Sequence, residues 1–499
     1  MENIFHYKVW AGVLFEISNG CSQRHRIVDQ FFYIVPHLDC HKIIIMEKEG
    51  KINASDGSVK KKRYSQCLPV YNSFAGGIDV GDTMFDVAVS DGAGNFEVRE
   101  YQTFTEDTVS LVNWLLKEGI TTVAMEATGV YWLNLYLMLE DAGIEPYLVN
   151  AKHVKNVTGR KKDDTDAIWL QKLHTCGLLQ KCFQPESEMR ELRTYVRQRK
   201  NLVNISSDSV RRMQKALELM NIKLHTVISD ILGKTGLQMV NAILNGERNP
   251  DELIKLKDPR IKASEEDIKK SLTGMWRDEY LFMLKQAYEE YSFYQSQITS
   301  CEERIKERLL KQVVQILDGD ITDLQLKKNK KKKNQFEFEI RPMLNIIAGV
   351  DLCEIDGISE ISSLELISEI GTDMNKWISG KHLSAWCNVA PNTKITGGKI
   401  ISSKMQKKKN WAGQTLRMAA SGLSRSKSPL GDYARKMKSR LGKKAGVVAT
   451  AHKLALIIYS MMKEKLPYNP QITLDNQEKW KLKRIKYLEK QLYKLKIAV

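Results

Sequence analysis

Ala75-Gly-Gly-Ile-Asp-Val-Gly-Asp-Thr-Met-Phe-Asp-Val-Ala-Val89 is the stretch of sequence that decides the fold. Two apolar runs flank a turn at Gly81, and this pattern predicts a hairpin of two core strands. Asp79 falls at the exit of the first strand. Because ligands of α/β sheets gather at strand ends, Asp79 is a candidate site residue.

Three more acidic residues occupy positions from which they could reach the same place. Glu126 ends the apolar stretch Thr121-Thr-Val-Ala-Met-Glu126, and a helix-like pattern follows it. Asp163 and Asp166 are three residues apart at the predicted start of another helix, so both face one side of it. Two strand ends and one helix face can converge, which predicts an α/β domain with a four-carboxylate site.

Carboxylates brought close together repel unless a cation neutralises them, and hard oxygen ligands suit Mg²⁺ or Mn²⁺. Such an ion can bind a phosphate and polarise its scissile bond. Each residue also has a purely structural interpretation. Asp163 is a good helix N-cap, and Glu126 taken by itself does not indicate a site. The order of strand end, strand end and helix pair favours phosphodiester chemistry.

A second interpretation of the same stretch is a nucleotide-phosphate turn. Asp79-Val-Gly-Asp-Thr83 also matches the short phosphate-binding turn of actin-like and sugar-kinase ATPases. Such an ATPase should carry another Asp-Gly turn and an adenosine-binding glycine motif in its second half. The candidate there, Asp356-Gly357, lacks a convincing strand before it.

The composition predicts a folded protein with a polyanionic partner. The chain has 499 residues, of which 42% are hydrophobic, enough for about three domains. Its 77 Lys and Arg exceed its 60 Asp and Glu, giving a net charge of +17. This excess favours DNA, RNA or a membrane surface. The membrane is the weakest of these, because no apolar run approaches the roughly 20 residues of a transmembrane helix.

The cysteines and the N-terminal stretch indicate a reducing cytoplasm. The eight cysteines are scattered, without a Cys-x-x-Cys pair or clustered histidines, so neither a zinc site nor a disulfide framework is indicated. The apolar run from Val9 to Phe15 is too short for a persuasive signal peptide. A further hypothesis is that translation starts at Met46, with residues 1–45 an upstream read-through.

Two long amphipathic helices are predicted in the middle of the chain. A three-four repeat from Met189 to Leu224 has the periodicity of a coiled coil, and a second helical stretch runs from Arg277 to Val314. The two could pair as an antiparallel arm, pair with another subunit or form an ordinary helical core. The residues around Asn249-Pro-Asp-Glu252 are predicted to form a tip or insertion between them.

Several segments together resemble one family. They closely resemble the transposases of the insertion sequence 110 family, often called DEDD transposases, over about residues 70–465 and in the family's order. The segments that carry the resemblance are Asn150–Asp163, Gly177–Pro185, Arg190–Arg199, Leu383–Lys404 and Lys407–Arg417.

The resemblance implies three structural parts. These are an α/β N-terminal domain with a RuvC-like, RNase H-type mixed sheet, a helical coiled-coil arm for dimerisation, and a mainly α C-terminal transposase domain. We expect six segments along the chain. They are a disordered leader (1–73), the catalytic domain (74–185), the arm (186–325), a basic linker (326–342), the transposase domain (343–465) and a basic helical tail (466–499).

The resemblance also implies the chemistry and the partners. Asp79, Glu126, Asp163 and Asp166 carry over as metal-binding catalytic carboxylates, with Mg²⁺ or Mn²⁺ as the cofactor. A serine hydroxyl would form a covalent protein–DNA intermediate, as in serine recombinases. A structured bridge RNA would direct the enzyme to donor and target DNA. We expect a homodimer or tetramer in the bacterial cytoplasm, associated with the nucleoid.

The chain departs from the family where the nucleophile is expected. It reads Ile395-Thr-Gly-Gly-Lys399 in place of Ile-Ser-Gly-Gly-Lys, so Thr396 is the provisional nucleophile. Its β-methyl group restricts χ1 and crowds the approach to phosphorus. Three readings follow: slower transposase chemistry, a decayed nucleic-acid-binding remnant, or a metal-dependent nuclease without a covalent step. The predicted nucleic-acid contacts are Arg160, Lys161, Lys162, Gly397, Gly398 and Lys399.

Overall fold

The computed structural model describes residues 69–91, 95–151, 154, 165–319, 334–406, 408–471, 482 and 485–492. The chain divides between Phe183 and Gln184 into two compact units. Most of the predicted leader and residues 326–333 of the predicted basic linker lie outside the described residues. Each unit is described by itself.

The first unit is built on a five-stranded mixed sheet with the strand order β3-β2-β1-β4-β5. The predicted hairpin is present, with β1 and β2 antiparallel and β3 antiparallel to β2, whereas β4 and β5 run parallel to β1. This confirms the mixed sheet and is compatible with the RNase H type. The strands are Ala75–Val80 (β1), Met84–Ser90 (β2), Phe96–Gln102 (β3), Thr122–Glu126 (β4) and Glu145–Val149 (β5).

Helices cover both faces of this sheet. Helices α1 (Thr105–Lys117) and α2 (Trp132–Asp141) pack on the face that carries Ile78 and Met125. Helix α3 (Asp166–Thr175) packs on the opposite face, where Leu170 is fully buried in a cluster that includes Ala124. Apolar side chains alternate between the faces because successive strand residues point in opposite directions.

Helix α3 lies very close to β1 because Gly77 has no side chain. A Cβ atom on Gly77 would lie 2.3 Å from the carbonyl oxygen of Ala167 and 2.4 Å from the amide nitrogen of Gln171. The Gln171 side-chain amide also donates to the carbonyl of Ala75 at 3.2 Å. The strand and the helix are therefore in backbone contact at this point.

The C-terminal end of α3 is fixed by His174, which is only 2% exposed. Its Nε2 lies 2.9 Å from the Thr122 hydroxyl, and that hydroxyl donates to the carbonyl of Glu145 at 3.0 Å. The Thr122 oxygen must then accept from Nε2, so in the neutral histidine the proton is on Nε2. Burial lowers the pKa of His174 to about 4.

The second unit contains two long helices, α4 (Ser187–Leu219) and α9 (Asp278–Ile316). Ion pairs link Glu191 to Arg308 near one end and Arg212 to Glu290 further along, so the helices run antiparallel within one chain. The buried stripe of α4 is wider than the predicted seam, because Leu202 is buried as well. A wide stripe is typical of globular helix packing, and a coiled-coil arm is not confirmed.

The predicted tip between the long helices is a small helical bundle whose core continues into buried residues of α4 and α9, such as Met213 and Leu284. Its buried residues include Ile231, Met239, Ile243, Ile268 and Leu272. Its helices are Leu224–Val227 (α5), Lys234–Leu244 (α6), Pro250–Ile254 (α7) and Glu265–Leu272 (α8).

A buried ion pair joins the long helices to the next segment. Arg199 donates from Nε to Glu302 at 2.7 Å, and their side chains are only 6% and 8% exposed. The same guanidinium donates to the carbonyl of Asn334 at 2.9 Å and lies 4.2 Å from the ring centre of Phe336. Arg199 is a charged residue within the otherwise apolar repeat of α4. Its contacts connect α4, α9 and the segment that contains Asn334 and Phe336.

The rest of the second unit is mainly helical, as expected. Helix α15 is long and apolar enough to cross a membrane by length and composition, contrary to the expectation that no run approaches that length. It packs on α12, α13 and α14 through buried residues such as Leu454 and Ile458, as a core helix does. The helices are Arg341–Ala348 (α10), Glu360–Ile370 (α11), Gly380–Trp386 (α12), Trp411–Leu423 (α13), Pro429–Leu441 (α14) and Lys443–Glu464 (α15); the strands are Lys394–Thr396 (β6) and Lys399–Ser402 (β7).

Removal of the Arg199 side chain should destabilise the second unit. We expect Arg199→Ala to cost about 3–5 kcal/mol, because the Glu302 carboxylate stays buried without its partner. The double variant Arg199→Met, Glu302→Leu should recover most of this loss. Urea unfolding followed by far-ultraviolet circular dichroism measures the difference. Arg211→Ala, which breaks an exposed pair with Asp208, should change stability by less than about 1 kcal/mol. A double variant no more stable than Arg199→Ala would contradict this account.

Acid should weaken the first unit through His174. Because its pKa is about 4 when folded and about 6.5 when unfolded, the unfolded chain binds more protons between these values. Stability is then fully present above pH 6.5 and falls towards pH 4, by about 3 kcal/mol. His174→Gln should flatten this part of the pH profile in urea unfolding. The exposed His382 is the control, and His382→Gln should keep the slope of the natural chain.

Candidate active site

Asp79 and Glu126 lie side by side at the ends of two neighbouring parallel strands. Ile78 of β1 is opposite Met125 of β4, so the next residue of each strand is one of the two acids. Neighbouring strands are about 4.8 Å apart, and equivalent positions point to the same face. Both acids are half-buried. The sheet therefore presents two carboxylates together at one edge.

Helix α3 begins at the end of the sheet where these two strands end. Along the helix, Ala167 approaches Gly77, Gln171 bonds to Ala75, and His174 bonds to Thr122 at the beginning of β4. Helix α3 therefore runs antiparallel to β1 and β4 on the face of Gly77 and Asp79. Its first residue, Asp166, is exposed where these strands end.

The start of α3 is defined by a side-chain cap. Thr165 is extended, and its hydroxyl accepts a hydrogen bond from the amide of Ile168 at 3.3 Å. Asp166 therefore occupies the first turn, where the helix dipole stabilises a negative charge. The cap of this helix is Thr165, whereas Asp163, the predicted cap, lies outside the described residues.

The remaining predicted residues of this unit lie outside the described residues. These are Asp163 and the basic run Arg160, Lys161 and Lys162. Within the described part of the chain, no three His, Cys, Asp or Glu side chains form a group that could hold a metal. The four-carboxylate metal site stays a prediction.

Sequence reasoning missed one acid at the same edge. In the β1–β2 hairpin, Asp86 lies directly opposite Asp79. Directly opposed residues of antiparallel strands share a face and have Cβ atoms about 5 Å apart. The signal was present in the sequence, since Asp79 and Asp86 each interrupt an apolar run around one turn, but the register was needed to pair them.

The candidate nucleophile lies on a small hairpin in the second unit. Strands β6 and β7 are antiparallel and are joined by Gly397 and Gly398, which have φ values of +54° and +73°. Two consecutive left-handed residues form a tight hairpin turn for which Gly-Gly is well suited. Thr396 and Lys399 flank this turn as an opposed pair, and both are exposed.

The Thr396 hydroxyl is accessible, but its own hairpin supplies no histidine or carboxylate as a base. Residues 394–402 contain no His, Asp or Glu. A threonine hydroxyl is a weak nucleophile until a neighbouring group takes its proton or a metal polarises it. Activation by a histidine, a carboxylate or a metal must therefore come from outside the hairpin.

The sequence around this hairpin is strongly basic. Between Asp373 and Glu464 the single acidic residue is Asp432, and Arg435 forms an ion pair with it. Lysines and arginines recur through the same stretch, on the hairpin and on α13, α14 and α15. Such a separation of charge favours contact with the phosphates of a nucleic acid.

A polar junction joins α4 to the C-terminal helices. Arg197 makes two hydrogen bonds to Glu369, at 2.6 and 2.8 Å, and Lys200 donates to Glu365 at 2.9 Å. Both cations lie over the ring of Trp411, at 5.6 and 5.3 Å from its centre. These mutually paired groups are a packing contact inside the unit rather than a candidate catalytic centre.

Two family models match the chain, and each match contains one of the two candidate sites. One, described as a transposase of the DEDD type, matches residues 76–222, which include the mixed sheet and α4. The other, described as the transposase IS116/IS110/IS902 family, matches residues 351–435, which include the Thr396 hairpin. No curated protein matches the chain. The two matches support an enzyme class that binds and recombines DNA, and together they support an IS110-family transposase with two domains.

Proposed function

We propose that this transposase cuts and rejoins DNA with a divalent metal ion held by Asp79, Glu126, Asp163 and Asp166. The observation that carries the proposal is the placement of Asp79 and Glu126 on adjacent strand ends, with the first residue of α3 at the same edge. A structural role alone does not require three acids at one edge of a sheet.

The donor set fits a hard cation. Carboxylate oxygens are the preferred ligands of Mg²⁺ and Mn²⁺, and the described acids come from both the sheet and the helix. A bound ion would supply charge neutralisation and polarisation of the scissile phosphate. Asp79 and Glu126 would hold it from the strands, and Asp163 and Asp166 from the start of α3.

Thr396 is the proposed nucleophile. Its Oγ1 would form a bond to phosphorus while one phosphorus–oxygen bond to deoxyribose breaks. The hydroxyl loses its proton, and the leaving oxygen gains one. Rejoining to a different DNA end reverses these steps and frees Thr396. Lys399, the opposed residue on the hairpin, would offer a positive charge to the same phosphate.

The proposed partners are donor DNA, target DNA and a structured bridge RNA. The basic stretch between Asp373 and Glu464 supports a large phosphate-contacting surface. A phosphate surface serves either polyanion, so the guide RNA rests on the family resemblance. The same holds for an assembly of two or four copies.

A second candidate function is a metal-dependent nuclease that uses water as its nucleophile. The absence of any His, Asp or Glu in residues 394–402 favours it, because a hydroxyl without a base attacks slowly. A decayed remnant that binds DNA without cutting is the third outcome that experiments must separate.

Loss of one strand carboxylate should abolish metal-dependent cleavage. We expect Asp79→Asn to lower the cleavage rate in Mg²⁺ by at least about 100-fold, and to weaken Mn²⁺ binding measured by calorimetry. Asp82→Asn is the matched control, because Asp82 is exposed in the turn that follows β1. Equal Mn²⁺ affinity in the natural chain and in Asp79→Asn would overturn the metal assignment.

The guide RNA is tested separately. If cleavage is equally fast without the RNA transcribed from the element, the proposal of a guide RNA is wrong.

A covalent-adduct assay tests Thr396 directly. On a labelled DNA substrate, the natural chain should form a protein–DNA adduct, and Thr396→Ala should lose it by at least about 100-fold. Thr396→Ser should react about tenfold faster, since removal of the β-methyl group relieves crowding. Adducts in the serine variant alone would indicate decay. Cleavage that survives in Thr396→Ala and is lost in Asp79→Asn would favour the nuclease.

A further inference from the structure

The β6–β7 hairpin exposes three large apolar side chains. Ile395, Ile400 and Ile401 are 62%, 66% and 68% exposed, although they lie within seven residues of one another. Single exposed apolar residues are common on protein surfaces, whereas a contiguous apolar patch usually marks an interaction site. An exposed two-stranded hairpin also gains little stability of its own. This patch requires an explanation other than folding.

The strand register divides the hairpin into two faces. Thr396 is opposite Lys399, and Ile395 is opposite Ile400. Opposed residues share a face, and neighbouring pairs point to opposite sides. One face therefore carries the hydroxyl and an ammonium group, and the other carries isoleucines. Ile401 is the extra residue of an irregularity in the pairing.

The hairpin projects from a well-anchored base. The side-chain amide of Asn388, at the end of α12, donates to the carbonyls of Gln406 and Lys408, each at 3.0 Å. The Asn410 side chain donates to the carbonyl of Trp386 at 3.1 Å and also caps α13. These bonds hold the segment that follows the hairpin against α12. The base of the hairpin, and with it Thr396, is therefore fixed in position relative to α12.

The positive charge near the isoleucines indicates which kind of molecule covers them. Lys394, Lys399 and Lys404 are their neighbours in the sequence, with Lys399 on the other face of the hairpin, and no acidic residue lies between Asp373 and Asp432. A DNA groove combines phosphates with the apolar edges of bases and sugars, and proteins commonly insert apolar side chains there as wedges. An apolar surface with only positive flanks matches this combination.

We propose that the hairpin is a DNA wedge, in which Ile395 and Ile400 pack against bases while Lys399 contacts a backbone phosphate. The inference rests on the proposed function and deepens it. The two isoleucines are positioning residues: they fix the hairpin on the duplex so that Thr396 faces one phosphate.

The test separates apolar from ionic contact. In Ile395→Thr, Ile400→Thr, both positions keep β-branched residues that favour strands. We expect this double variant to bind a labelled duplex from the end of the element about tenfold more weakly, with an unchanged salt dependence. Lys399→Ala should instead lower the slope of log affinity against log salt by about one. Ile378→Thr, at an 82% exposed isoleucine of the same unit, should bind as the natural chain does.

The outcomes also separate this proposal from the Thr396 chemistry. Weaker DNA binding by the double variant supports the wedge even if no protein–DNA adduct forms in the natural chain. Unchanged affinity in the double variant overturns the wedge, even where Thr396 forms adducts. A loss of self-association in sedimentation, with DNA affinity intact, would assign the isoleucines to a protein interface and also overturn it.

Discussion

The backbone contact between β1 and α3 at Gly77 is the constraint on which the first unit depends. A side chain there would have to occupy the positions of the Ala167 carbonyl and the Gln171 amide. Since α3 runs antiparallel to β1, the same contact sets where the helix begins. The N-terminal turn with Asp166 therefore lies at the edge where Asp79 and Glu126 end their strands. The candidate site is a consequence of how closely one helix can approach one strand.

Local patterns predicted the parts of the fold that local physics determines. The apolar runs around Gly81 predicted the hairpin, and the end of an apolar stretch placed Glu126 at a strand terminus. The three-four periodicity predicted the two long helices, because one face of each must be buried. Thr396 was expected to be a nucleophile, and its exposure on a hairpin is compatible with that role.

Features that depend on distant residues were predicted less well. The width of the buried stripe on α4 depends on what packs beside it, and a seven-residue pattern cannot distinguish a seam from a globular face. The burial of the charged Arg199 depends on its partner Glu302, about a hundred residues later in the chain. The length of the apolar face of α15 was underestimated, because lysines interrupt the apolar residues in the sequence although the buried residues lie along one face of the helix. Asp86 was missed because pairing across a turn depends on register.

In the proposed metal site, the opposed acids Asp79 and Asp86 would couple cation binding to the integrity of the sheet. Like charges directly across two antiparallel strands weaken their pairing, by up to about 1 kcal/mol. A cation bound at this edge would offset that repulsion, so it would favour the closed hairpin as well as the substrate phosphate. Chelation would then have a mechanical effect: the β1–β2 ribbon would open more often near its turn, and amide hydrogens there would exchange faster with solvent.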